Sequence, residues 1–229
     1  MRWMRIAKLS AALAVLATVA IGALPALHWV KTELRSRAER PDPVIATPDE
    51  TRAILGVVLE RMKFVGVPPP PPGPGRSPHP QPERILILAD QSLCFGEARR
   101  PDCVSQSAER LLSPELDTFA RRKLHAELVA ANQARRQLDL SGIPGTQVVR
   151  SSEIQRILAD GWWDDFYERH PGTSGFAQIS QPVLTRDRKR ALIYVAHHCD
   201  GLCGTGTIHL LVRAGSSWRV AKEKILWIS

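Results

Sequence analysis

Between Lys8 and Lys31 lie 22 uncharged residues, Leu9 to Val30, preceded by Arg2, Arg5 and Lys8. As a helix such a run is about 33 Å long, enough to cross a hydrocarbon core of about 30 Å. Two readings follow. A cleaved signal peptide has a basic start, an apolar core and small residues before the cut, and Ala20-Ile21-Gly22 offers such a site. An uncleaved anchor uses the whole run, with Pro25, His28 and Trp29 suited to the far interface. The length favours a single-pass anchor at residues 1–30 in the cell membrane, with the C-terminal domain outside the cytoplasm. Cleavage would instead release the domain to the periplasm or medium. The anchor makes the membrane the first expected partner, and in either case the chain enters surroundings where cysteines oxidise.

The net charge of +8 is less telling. The leader carries three basic and no acidic residues, so 8 − 3 leaves +5 for the other 199 residues. Basic runs such as Arg121-Arg122-Lys123 lie among acids and lack the interleaved aromatics of a base-stacking surface, so nucleic acid is not an expected partner.

Past the leader, residues 31–46 read as a juxtamembrane linker broken by Pro41 and Pro43. An exported domain is expected over 47–229. Thr47-Pro48-Asp49-Glu50 has the form of a capping box, and Ile54, Leu55, Val58, Leu59 and Met62 follow at helical spacing. Residues 67–82 are mostly proline with glycine and form an extended loop. Arg84 to Ala89 is an aliphatic run, the pattern of a strand buried on both faces. A second helix starts at Ser113-Pro114-Glu115. A short strand covers 146–150, and Ser151-Ser152-Glu153 begins a third helix that Gly161 interrupts. Four strands are expected near 176–184, 191–197, 207–213 and 218–228, with turns too short for anything but antiparallel neighbours. The expected class is α+β, with N-terminal helices packed on one face of a curved, C-terminal antiparallel sheet.

The richest segment is His197-His198-Cys199-Asp200-Gly201-Leu202-Cys203-Gly204-Thr205-Gly206. In an exported chain, Cys199 with Cys203 and Cys94 with Cys103 are the expected local disulfides, although four cysteines allow three pairings. His197, Cys199, Cys203 and His209 could instead supply zinc with nitrogen and sulfur, but their spacing is not a strong zinc pattern. No metal and no cofactor is expected. His198 and His209 read as half-exposed strand residues. The glycines do not form a dinucleotide loop, which needs a helix after its strand. Ser174, with no strand expected before it, is a poor nucleophile. Asp164 and Glu168, one helical turn apart, read as a solvated face. Trp162, Trp163, Phe166 and Tyr167 read as core aromatics, one of which could line a groove for an apolar or carbohydrate ligand. The candidate pocket is therefore Trp162, Trp163, Tyr167, His197 and His209.

Gly161-Trp162, Phe166-Tyr167, Pro171, Gly175, Ser180, Tyr194-Val195, Cys199, Leu202-Cys203-Gly204, Gly206, Trp218 and the terminal Trp227-Ile228-Ser229 carry a resemblance. With these residues the last 70 or so positions resemble a family of uncharacterised bacterial exported proteins. The resemblance implies an exported fold with a cysteine-bearing hairpin and no particular activity. The chain departs from that family's pattern at Pro182-Val183-Leu184 and in the proline stretch. The helix-then-meander order is also similar to the cystatin-like cone of the nuclear transport factor two superfamily, where a curved sheet wraps a helix. The favoured expectation is a non-enzymatic envelope domain that binds a protein or surface ligand. The alternative is a small-ligand pocket enzyme or metal-dependent hydrolase using His197, His209 and a carboxylate.

Overall fold

The computed structural model describes residues 44–62, 85–95, 113–160 and 163–229. The leader, the linker up to residue 43, the proline-rich loop, Cys103 and Trp162 lie outside the described residues. Among the described residues no helix is long and apolar enough to cross a membrane.

Eight strands form one mixed sheet: β1 (Val44–Ile45), β2 (Ile85–Ala89), β3 (Thr146–Val149), β4 (Thr173–Ile179), β5 (Val183–Leu184), β6 (Arg190–Asp200), β7 (Cys203–Ala214) and β8 (Ser217–Ile228). Among the described residues the helices interspersed with them are α1 (Pro48–Met62), α2 (Glu115–Ala120), α3 (Arg122–Ala131), α4 (Ser151–Asp160) and α5 (Trp163–Arg169). Across the sheet the path runs β3, β2, β4, β6, β7, β8. β5 continues the line of β4 along the same edge of β6, and β1 pairs with β5.

The class is α+β, but two expectations are corrected. The sheet is mixed, because β2 lies parallel to both β3 and β4 while β6, β7 and β8 form the antiparallel meander. Helices also cover both faces, and they alternate with strands before the meander begins. One apolar layer joins Ile54, Leu55, Val58 and Leu59 of α1 to Leu86, Leu88, Ala191, Ile193 and Val195. The opposite layer joins Leu124 and Leu128 of α3 to Leu192, Tyr194 and Ala196, and Ile154 and Phe166 of α4 and α5 to Ile87 and Phe176. Odd and even positions of β6 are both apolar, so a single helical layer could not keep that strand dry. A curved sheet wrapping one helix, as in the cystatin-like cone, is not the arrangement found.

Local sequence explains the helix ends. Thr47 and Glu50 form the capping box: the Glu50 amide donates to Thr47 Oγ1 at 3.3 Å and the Thr47 amide to Glu50 Oε2 at 3.0 Å. The Arg188 guanidinium pairs with the same carboxylate and, with those bonds, holds its pKa down to about 2. The helix expected from Ser113 is two helices, because Arg121 takes a left-handed φ of 66° between them. The domain also begins earlier than expected, since Val44 and Ile45 of the supposed linker pair with Leu184 and Val183.

The strand expected over 176–184 is broken at Ser180-Gln181-Pro182, where the ladder needs help from outside the sheet. Asn132, fully buried at the end of α3, accepts the Gln181 amide at 2.7 Å and donates to the Gln181 carbonyl at 3.1 Å. Ser180 Oγ accepts the Tyr194 amide at 2.8 Å. The side chains thus stand in for a strand neighbour, as buried backbone groups require.

A cheap stabilisation is available in α1. A Cβ added at Gly56 would meet nothing within 4 Å, so Gly56→Ala should raise stability by about 0.5–1 kcal/mol in a denaturant melt, the helix-propensity difference.

Candidate functional site

The hairpin of β6 and β7 carries most residues singled out from the sequence. Asp200 pairs with Cys203, so Gly201 and Leu202 alone make the turn. Cys199 and Cys203 are disulfide-bonded across it with Cα atoms 5.1 Å apart. Cys94 is also disulfide-bonded; Cys103, its expected partner, lies outside the described residues. Among the described residues no cysteine is free. A bulge between His198 and Asp200 offsets the strands beside the disulfide. The Tyr167 hydroxyl donates to the Cys199 carbonyl at 2.6 Å and so ties α5 to the hairpin end. Leu202 at the tip is 89% exposed, a fully solvated leucine on a cross-linked turn.

Beneath the tip, registers across the sheet align Ile87, Phe176, His198 and Gly204 in one row. Trp163 stacks on Phe176 with centroids 5.7 Å apart, and Phe176 stacks on His198 at 4.9 Å. Trp227 lies 5.5 Å from His198 on its other side. The Trp227 indole N–H donates to the Tyr194 hydroxyl at 2.7 Å, and Tyr194 meets Phe95 edge-on at 6.0 Å. Glycine makes this possible. A Cβ at Gly206 would stand 1.9 Å from Trp227 Nε1 and 2.3 Å from the Tyr194 hydroxyl. One at Gly204 would press on Trp227 and Ser229 at about 3 Å. The glycines after Cys203 are therefore a seat for the C-terminal tryptophan. Gly175 has another reason: its φ is +96°, and a Cβ would lie 2.1 Å from the His198 carbonyl.

The next row, Leu88, Ala177, His197 and Thr205, belongs to the other face. His197 Nε2 and the Ser174 carbonyl are 2.7 Å apart, a geometry that puts the ring proton on Nε2. His209 sits four positions further along β7, opposite Ile193 and Glu223. Four residues span about 13 Å of strand, so His197 and His209 do not converge. Asp164 and Glu168 are exposed on α5, across the sheet from both. The expected pocket is thus divided: Trp163 and Tyr167 belong with His198, and His197 and His209 lie on the α1 face. The expected catalytic trio of His197, His209 and a carboxylate is not assembled with Asp164 or Glu168.

The zinc alternative loses its sulfur donors to the disulfide. Among the described residues no group of three or more His, Cys, Asp or Glu is placed to hold a metal ion.

The expectation of half-exposed histidines is corrected for His209, which is 1% exposed with neither ring nitrogen hydrogen-bonded. Branched neighbours on both sides should have signalled burial. His198 also leaves Nε2 buried and without a partner. Burial lowers the pKa of all three: His197 falls below its usual value, His198 drops to about 4 with the His197 ring adding to the effect, and His209 drops to about 4. For His209, Glu223 pulls the other way and Arg61 adds to the lowering. Trp227, Gly206 and Tyr194 were not singled out as one unit by sequence. Their separation along the chain conceals it, and the terminal Trp-Ile-Ser with a glycine pair was the available signal.

Comparison of the chain with protein-family models, curated proteins and solved structures found no match.

Two predictions follow from this geometry. Gly206→Ala should cost about 1–3 kcal/mol by overpacking, and the double variant with Trp227→Ala should lose less than the sum of the two single losses, as denaturant melts would show. The folded state favours the neutral form of His197, His198 and His209, so these three rings bind fewer protons than in the unfolded chain. Their contribution is therefore complete above pH 6.5 and is lost as pH falls, for His198 and His209 by at most about 3 kcal/mol each as pH reaches about 4. Glu50 acts in the next window, its stabilisation present above pH 4.5 and lost as pH falls through about 2. Urea melts from pH 7.5 to 4 should show the first decline, and His198→Phe should flatten it.

Proposed function

We propose that this chain is a non-enzymatic, disulfide-stapled binding domain of the bacterial envelope. The leader anchors it in the cell membrane, and the end of the β6–β7 hairpin meets a protein partner. The observation that carries the reading is the Cys199–Cys203 disulfide beneath an 89% exposed Leu202. A two-residue turn holding a bare leucine would fray in isolation. Here the cross-link, the Tyr167 tie and the seated Trp227 keep it rigid, so a partner would pay little ordering entropy on binding it. The oxidised cysteines support export, since such bonds persist outside the reducing cytosol. The pocket-enzyme alternative has no specific observation in its favour, because its histidines and the carboxylates of α5 stand on opposite faces.

Export is tested with alkaline phosphatase fused after Ser229 in a bacterial host, alongside thiol alkylation of the unfused protein. Phosphatase activity in the membrane fraction is expected, with all four cysteines refusing alkylation until reductant is added. Activity in the periplasm instead would select cleavage of the leader. An inactive fusion with thiols alkylated at once, in a soluble cytosolic product, would overturn the reading. Leu202→Asp should leave both readouts unchanged and abolish a cross-link formed in intact cells from a photoreactive group at Asp200.

A further inference from the structure

His209 is enclosed with no hydrogen bond to either ring nitrogen. From β6 it faces Ile193, and from β8 it faces Glu223. Glu223 Oε2 lies 4.0 Å from His209 Nδ1, too far for a hydrogen bond. From α1 the charged neighbour is Arg61 in the last turn, whose Nε contacts the same Glu223 oxygen at 3.4 Å. Arg61 and Glu223 thus close over the imidazole while remaining 62% and 43% exposed. The two ends of α1 are held very differently. Its first turn has the Thr47–Glu50 box, the Arg188 ion pair, and Arg52 bonded to Asp49 and Asp139. Among the described residues its last turn has apolar contact and the solvent-exposed Arg61–Glu223 ion pair, a weak form of attachment. Gly56, at the middle of the helix, is the residue least costly to bend there.

We propose that the C-terminal half of α1 is an acid-released latch, closed on the sheet while His209 is neutral and opened when that ring takes up a proton. The neutral ring is tolerated beside Ile193 in its enclosed position. An imidazolium there has no hydrogen-bond partner unless Glu223 swings onto it, which takes the carboxylate away from Arg61. Either Arg61 is left unpaired over a charged ring or the helix end lifts and water reaches the imidazole. Both routes weaken the Arg61–Glu223 attachment of the last turn, while the first turn keeps its anchors.

Hydrogen exchange on the full-length protein in detergent tests this, with rates corrected for the intrinsic effect of pH. For a ring titrating at about 4 when enclosed and 6.5 when free, lowering pH from 7.5 to 5.0 should raise the opening of residues 57–62 about 30-fold. Peptides from β6 should stay protected. His209→Gln should remove the pH response, and His197→Gln should retain it. In the unmodified protein, the His209 ring signal in NMR should titrate together with the exchange. The proposal is overturned by α1 exchange that ignores pH, by an equal rise in β6, by a response that survives His209→Gln, or by a ring titration more than about one pH unit from the exchange midpoint. If His209→Gln does not fold, that last comparison still decides.

Discussion

β6 carries apolar side chains on both of its faces and hydrogen-bonds along both of its edges, and the rest of the domain is arranged around that demand. Ala191, Ile193 and Val195 point to one side, Leu192, Tyr194 and Ala196 to the other, and all are essentially inaccessible. Each side needs its own cover. α1 supplies one layer, and α3 with α2, α4 and α5 supplies the other. Along its edges β6 has β7 on one side and the broken line of β4 and β5 on the other. The break is tolerated because Asn132 answers the backbone of Gln181 from the end of α3. Burying that amide unpaired would forfeit the desolvation cost of both its backbone groups.

The same demand explains why the far end of the hairpin is so tightly finished. Helices cover the sheet centre, and the end of β6 and β7 is held by a cross-link of its own together with residues of α5 and β8. The disulfide, the Tyr167 hydroxyl and the Trp227 ring over Gly206 do this by three different means: a covalent link, a hydrogen bond and close packing. The histidines beneath the tip are byproducts of position as much as of chemistry. Enclosed by aromatic or aliphatic neighbours, they are kept neutral and make the domain sensitive to acid.

Much of this was legible in the chain itself. The capping box at Thr47, the buried run from Ile85, the strand meander and the 199–203 disulfide were all local patterns, and each is present. The failures share a physical cause. The parallel placement of β2 between β3 and β4 depends on which strand edges are free once the meander has formed, and periodicity carries no information about pairing partners. The break at Gln181 depends on an asparagine 49 residues away. The 1% exposure of His209 depends on α1 lying across it, and the division of the expected pocket depends on strand register, where adjacent residues of one strand face opposite ways.

By itself the amino-acid order settled where α1 and α4 begin, which runs form the β6–β8 meander and that Cys199 and Cys203 lie close enough to join, because these follow from steric and hydrogen-bonding preferences within a few residues. Only the tertiary structure decided that the sheet is mixed, that helices cover both of its faces, that Trp227 rests on Gly206 and that His197, His198 and His209 do not form one site. Those outcomes arise from competition among distant segments for the same edges and faces, and no short stretch of chain contains its rivals.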